Sequence, residues 1–297
     1  MGSRVSAIVV SYNTRELLRR CLSSLGGLHE VIVVDNASLD GSADMVSVEF
    51  PRVRLIRNDA NRGFGAANNQ GLAAMTGDLA LLLNSDAAAA DHDAVERLAR
   101  LFDDPGVVAA GGALLNADGS PQPSAAGKLT LWAVFCEQTY IEKLFPRSAL
   151  FSPYWKRSDR RIEVEQVMGA CLMMRPLERF DESFFLYCED TELCERLRKH
   201  GRILYEPAAR FWHALGASSD GARWKAVARY NAGKERFFLL HRGRAQAVLV
   251  FAMNRLGAAL RMTAWLIVAC LLLFASPRAR RQVALFARVL FAPLRGW

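Results

Sequence analysis

Short, mostly apolar runs of strand length alternate with helix-length segments through the first third of the chain, and three of them end directly on a cluster of small polar side chains. Residues 5–10 (VSAIVV) stop at Ser11-Tyr12-Asn13-Thr14, ahead of a helix predicted over 15–25. Residues 31–34 (VIVV) stop at Asp35-Asn36-Ala37-Ser38, and Asp40-Gly41-Ser42 leads the next helix. Residues 53–56 run through Asn61-Arg62-Gly63-Phe64-Gly65 into a helix over 66–75, and residues 79–83 (LALLL) stop at Asn84-Ser85-Asp86 before a helix predicted over 91–102. Unbroken apolar runs read as strands buried on both faces, as in a parallel sheet covered by helices. The alternation predicts an α/β fold joined by right-handed crossovers, and such sheets bind ligands at the carboxyl ends of their strands.

The loops narrow the chemistry. A dinucleotide-binding fold needs a glycine-rich first strand-to-helix turn, and Ser11-Tyr12-Asn13-Thr14 is not one. A phosphate-binding loop ending in Gly-Lys-Ser/Thr is also missing from the sequence. Asp86 would stand at the mouth of a site, although Asn84, Ser85 and Asp86 are also good turn and capping residues. Glu189 and Asp190 precede a helix predicted over 191–200, where capping alone would account for them. His213, after Arg210-Phe211-Trp212, reads equally as a packed histidine or as a ligand.

Taken together, these elements resemble the family 2 glycosyltransferases of GT-A fold, and within them the bacterial rhamnosyltransferase-like branch. The resemblance rests on Val10-Ser11-Tyr12-Asn13-Thr14, the stretch from Val34 to Ser42, Asn61-Arg62-Gly63-Phe64-Gly65, Leu81 to Asp86, Gly169-Ala170, and Phe180-Asp181-Glu182 through Glu189-Asp190 to Arg198. It covers roughly residues 4–216, and six linked elements are far more specific than any single one. One departure is that Asn84-Ser85-Asp86 stands where related enzymes carry Asp-x-Asp, which leaves one acidic metal ligand.

The resemblance implies a GT-A sheet and an inverting, metal-dependent transfer from a nucleotide-sugar donor. Asp35 would face the nucleobase, with Ser11, Tyr12, Asn13, Asn36 and Ser38 beside it. Arg62 and Gly63 would lie at the nucleotide side, and Asn84 and Ser85 toward the ribose. Asp86 would bind Mg²⁺ or Mn²⁺ bridging the diphosphate, with His213 of the His-x-x-Gly-x-Ser pattern completing the shell. Asp190 would act as general base on the acceptor hydroxyl, with Glu189 in support. The implied donor is dTDP-rhamnose, and the implied acceptor is a lipid-linked saccharide in cell-surface polysaccharide synthesis. A sugar-1-phosphate nucleotidyltransferase, or a non-catalytic nucleotide-sugar-binding scaffold, is the alternative. The former would need a basic, glycine-rich first loop, and the latter would not need both Asp86 and Asp190.

Composition adds the organisation of the chain. Its 297 residues, 52% hydrophobic, are enough for a catalytic domain over residues 1–235. Within that domain, residues 1–115 form a nucleotide-sugar half and 116–235 an acceptor half. The resemblance implies a partly mobile acceptor-side flap in the stretch holding the aromatic and basic residues from Trp132 to Arg161; a lipid-diphosphate acceptor explains that composition better than nucleic acid, which is not expected as a partner. Six cysteines without metal-site spacing read as reduced thiols, and no amino-terminal signal segment is expected.

The net charge of +8 lies entirely in the tail, where residues 236–297 hold ten arginines and no acid. The tail includes an apolar run over 262–275 and an amphipathic stretch over 283–291. The 14-residue run would reach about 21 Å, short of a hydrocarbon core of about 30 Å. Helices lying in or dipping into an anionic membrane surface are therefore expected, placing the protein peripherally on the cytoplasmic face of the inner membrane. A homo-oligomer interface is the alternative use of the same helices.

Overall fold

The structure is a computed structural model that describes residues 3–214 and 223–292. Its first half follows the predicted alternation: β1 (Val5–Ser11), α1 (Arg15–Ser23), β2 (Glu30–Asp35), α2 (Ser42–Glu49), β3 (Arg54–Arg57), α3 (Phe64–Ala74) and β4 (Leu79–Asn84). Then come β5 (Ala87–Ala89), α4 (Ala94–Ala99), β6 (Val107–Leu115), β7 (Ala125–Ala126), α5 (Leu131–Gln138), α6 (Ile141–Leu144), β8 (Trp155–Lys156), β9 (Ile162–Val164), β10 (Gln166–Val167) and β11 (Cys171–Met174). The chain continues with α7 (Glu189–Leu197), β12 (Arg202–His213), α8 (Arg223–Arg242), α9 (Arg244–Leu271) and α10 (Pro277–Leu290).

The main sheet runs β3-β2-β1-β4-β11-β6-β12-β5, with β9 also paired to β12. Strands β1 to β4 are mutually parallel, and β12 lies parallel to β6, whereas β11, β5 and β9 are antiparallel insertions. The sheet is thus α/β and mostly parallel, as the apolar runs predict. Its centre is dry on both faces: Ala7, Ile8, Val9 and Leu79 to Leu83 are all buried, with β1 and β4 at the heart of the core.

Registration places the chemistry. Ser11 pairs with Asp35 and Val10 with Asn84, so the ends of β1, β2 and β4 form one level edge. Beyond β4 the helix predicted over 91–102 is shorter. Ala87–Ala89, ahead of it, form a strand paired to Phe211, Trp212 and His213, and the helix resolves into Ala94–Ala99 plus a 3₁₀ turn at Arg100–Asp103.

The chain divides into two units. The first comprises Met1–Lys128, Trp155–Phe185 and Glu189–Ser218, and the second Leu129–Tyr154, Leu186–Cys188 and Ser219–Trp297. The helical unit is therefore assembled from three segments rather than from the tail alone. Within it, α8 and α9 are separated only by Gly243, whose φ of 87° breaks the helix without side-chain strain. α5 and α10 pack on α9. The aromatics expected in a flap cluster on one another: Trp132 stacks on Phe135 at 5.3 Å and donates its indole N–H to the Leu150 carbonyl at 2.6 Å.

The apolar run at 262–275 begins inside α9, which ends at Leu271, and continues into the turn beyond it. That helix has 28 residues and is long and apolar enough by composition to cross a membrane.

Candidate active site

At the end of β1 the chain turns through Asn13, which holds φ 54°. Asparagine tolerates that conformation better than most residues, and here its side chain accepts from the Leu39 N–H at 2.7 Å on the loop after β2, while its own N–H donates to Ser38 Oγ at 3.0 Å. Asp40 ties the same two loops together by accepting from the N–H groups of Arg15 and Ser42, at the starts of α1 and α2. Tyr12 lies half-buried on the first loop. Ser11 and Ser85 are both buried, and Thr14 links them: its hydroxyl donates to Ser85 Oγ at 2.8 Å and lies 3.3 Å from Ser11 Oγ. These hydroxyls therefore fix the loop after β4 against the loop after β1.

Asp35 and Asn36 are adjacent and do opposite things. Asn36 is fully engaged: its amide donates to Asn61 Oδ1 and the Gly63 carbonyl, and its oxygen accepts from Asn58 and from the Arg62 N–H. It holds the loop at 58–63 in shape, and the Arg62 side chain is exposed on that loop. Gly63, at φ 86°, approaches so closely that a β-carbon there would lie 2.5 Å from the Phe185 carbonyl oxygen. Asp35 spends one carboxylate oxygen on the Ser38 N–H at 3.0 Å, while Oδ1 is buried with no hydrogen-bond partner. A buried, unsatisfied carboxylate oxygen is costly unless a ligand brings a donor to it.

The pairing of β5 with β12 sets His213 opposite Ala87 and next to Asp86, whose carbonyl accepts from the Ala214 N–H at 2.9 Å. His213 Nε2 lies 3.3 Å from Asp86 Oδ1, and both side chains are more than nine-tenths buried. Gln122, missing from the sequence-level candidates, settles which ring nitrogen carries the proton. Its amide N–H₂ donates to the His213 carbonyl at 2.7 Å and to Asn116 Oδ1 at 2.8 Å, which orients the amide so that Oε1 faces His213 Nδ1 at 2.9 Å. An amide oxygen only accepts, so Nδ1 carries a proton and Nε2 is the ring nitrogen that faces Asp86.

Two acceptors 3.3 Å apart repel unless a cation, either a proton or a metal ion, is shared between them. Asn84 adds a buried amide oxygen without a partner, and its Nδ2 lies 3.4 Å from the same Nε2. This oxygen- and nitrogen-donor set fits Mn²⁺ or Mg²⁺. Among the described residues no three His, Cys, Asp or Glu side chains converge on one point, so an ion here would need a diphosphate to complete its shell. A cavity of about 280 Å³ opens beside the pair, lined by Leu17, Arg20, Ala88 and Trp212.

Gln122→Leu is expected to preserve the fold and weaken Mn²⁺ binding about 10- to 100-fold, because it frees the imidazole tautomer. Titration of Mn²⁺ into the variant checks this, and unchanged affinity would make Gln122 a packing residue.

Asp190 lies in the first turn of α7, with the buried Glu189 before it. The helix starts two residues earlier than predicted. The Asp190 carboxylate accepts from the Gly169 N–H at 2.9 Å and from the Thr191 N–H at 2.8 Å. Burial pushes its pKa above the usual aspartate value, against the pull of those backbone donors. A β-carbon at position 169 would lie 3.3 Å from that of Asp190, so glycine there permits the approach.

The family description "Glycosyl transferase family 2" matches residues 6–163. An N-acetylglucosaminyl-diphospho-decaprenol L-rhamnosyltransferase of Mycobacterium tuberculosis is 28% identical over 248 residues, covering 72% of this chain and 76% of that protein. The succinoglycan biosynthesis protein ExoO of Rhizobium meliloti is 29% identical over 232 residues, covering 72% of this chain and 62% of its own length. Among solved structures, the mannosyltransferase PcManGT from Pyrobaculum calidifontis, in complex with GDP-Man and Mn²⁺, superposes with a TM-score of 0.57 at 16% identity, covering 98% of this chain and 86% of that one. At that identity the likeness is one of fold.

Proposed function

The chain belongs to glycosyl transferase family 2, and from that premise we propose that it transfers a sugar with inversion, L-rhamnose from dTDP-rhamnose, to a lipid-linked saccharide at the cytoplasmic face of the inner membrane. The observation that carries the reading is the facing pair of Asp86 Oδ1 and His213 Nε2, held in one tautomer by Gln122. The named substrate of the mycobacterial relative, a lipid-diphosphate saccharide, supports the acceptor class.

In this reading the unpaired Asp35 Oδ1 accepts the imide N–H of a pyrimidine base. Asn13 and Ser38 shape the loop beside the base, with Tyr12 on the same loop, and Ser11 and Ser85 brace it. Asn84 faces the ribose, while Arg62 and Gly63 flank the nucleotide. Asp86 and His213 hold the divalent cation, which when bound would neutralise the diphosphate leaving group. Asp190 takes the proton of the acceptor hydroxyl as its oxygen bonds to the anomeric carbon and the bond to the nucleoside diphosphate breaks. Glu189 supports Asp190 from the same helical turn. The basic, acid-free stretch from Arg236 onward keeps the protein on anionic lipid.

The test is a nucleotide-sugar panel with purified full-length protein, read by calorimetry and by slow donor hydrolysis. Binding of dTDP that tightens with Mn²⁺, and hydrolysis selective for dTDP-rhamnose, is expected. Nucleotide binding unchanged by metal or chelator would overturn the cation site, and selectivity for another donor would overturn the sugar assignment.

A further inference from the structure

The helical unit answers a question that the membrane reading leaves open: whether α9 crosses the bilayer. At about 1.5 Å per residue its 28 residues span about 42 Å, more than enough for the hydrocarbon core. Two arginines within it are committed elsewhere. Arg255 donates to the carbonyls of Val289, Leu290 and Ala292, closing the carboxyl end of α10. Arg261 donates to the Glu137 carbonyl and to Gln138 at the end of α5, and lies over the Tyr140 ring at 4.4 Å. Each supplies positive charge where a helix end presents unsatisfied carbonyls. One face of the half of α9 before Met262 is thus tied to protein, and the ten residues from Met262 to Leu271 extend only about 15 Å, half of the hydrocarbon core.

The corner that follows is built for an apolar surrounding. Leu271 and Leu273 are 78% and 88% exposed, and Phe274 is 50% exposed. Leu273 and Phe274 hold φ of 46° and 57°, a conformation that large side chains rarely adopt and that persists where the surroundings enforce it. Ala269 and Ala279 are fully buried, so the two arms meet closely behind the corner. Immediately beyond it, Arg278, Arg280 and Arg281 crowd the exposed start of α10. Positive charge at a helix N-terminus opposes the dipole, so helix stability does not explain this placement, whereas a layer of lipid phosphates does.

We propose that the α9–α10 corner, residues 271–275, is a wedge that enters one leaflet of an anionic bilayer to a depth of about 5–10 Å and returns, with Arg278, Arg280 and Arg281 at the headgroups and no segment crossing. The proposal rests on the membrane reading above, and it excludes both a spanning α9 and helices lying flat along the surface.

The chain carries its own labelling site. Cys270, one residue before the corner, is exposed, whereas Cys21, Cys136, Cys171, Cys188 and Cys194 are buried. The full-length protein, labelled there with an environment-sensitive fluorophore and carrying a carboxyl-terminal tag, is mixed with vesicles of phosphatidylcholine and phosphatidylglycerol. Flotation tests membrane binding itself, and the label tests the wedge. The expected result is flotation, a blue-shifted label shielded from aqueous quencher, and a tag that external protease still removes. Leu273→Glu with Phe274→Glu should then weaken vesicle partitioning at least about tenfold, since both side chains lose apolar burial.

Flotation with a fully quenchable label would overturn the wedge while leaving the membrane reading intact. A protease-protected tag would mean that α9 spans, and failure to float would overturn both readings. Any of these three results decides against the proposal without need of the double variant.

Discussion

Asp86→Ala is expected to reduce sugar transfer by about 10³-fold or more with the fold intact. The loss follows from removing the carboxylate proposed to hold the cation, a contribution to charge stabilisation worth several kcal/mol, where each 1.36 kcal/mol is about tenfold in rate. The fold should survive because Asp86 contributes its backbone to the structure: its carbonyl still accepts from the Ala214 N–H, and the pairing of β5 with β12 needs no side chain from it. Rate, Mn²⁺ affinity and melting temperature should therefore separate, the first two collapsing and the third holding. Wild-type turnover by the variant in the presence of a chelator would sink the cation site.

Asp190→Asn should lose about 10² to 10⁴ in transfer rate while still binding donor, because the amide cannot take the acceptor proton. The raised pKa gives this prediction a second arm. An aspartate whose folded pKa exceeds its unfolded value contributes stability below the unfolded pKa and loses it as pH rises through the folded one, so at neutral pH its charge is a net cost. Neutralising it removes that cost, against one weakened backbone contact from Gly169 or Thr191, and the variant should melt within a few degrees of wild type. The wild-type rate should fall on acidification through a pKa above the usual aspartate range, since only the carboxylate accepts a proton. A variant that turns over normally but melts much lower would return Asp190 to the role of helix cap.

How much of this was legible depended on how local each cause is. Strands β1, β2 and β4 were written in unbroken apolar runs and their carboxyl ends in polar clusters, so the sheet edge and the candidates on it could be read directly. The run Ala87 to Ala90 illustrates the opposite case. Alanine is the strongest helix former, yet Ala87–Ala89 form a strand because Phe211, Trp212 and His213, over a hundred residues away, offer a ladder. Gln122 was invisible for the same reason. It sits among prolines in a turn-rich stretch, and its pairing with His213 spans 91 residues without any motif. In the tail the run of arginines was plain, but the partners of Arg255 and Arg261 were not, and those partners decide which arginines remain available to lipid.

The level edge formed by β1, β2 and β4 makes the two ends of the sheet unequal to evolution and to the engineer. A strand's side chains alternate faces, so inserting one residue into β2 just before Asp35 would turn its carboxylate to the opposite face and break its level pairing with Ser11. The turn before β2 is placed differently. The turn at Gly26 and Gly27 has open space where side chains would stand, and it joins α1 to the start of β2, at the end of that strand opposite Asp35. New chain termini, reporter domains or affinity tags placed there should be accommodated with activity retained, whereas the same cargo after Asp35 or Asn84 would not.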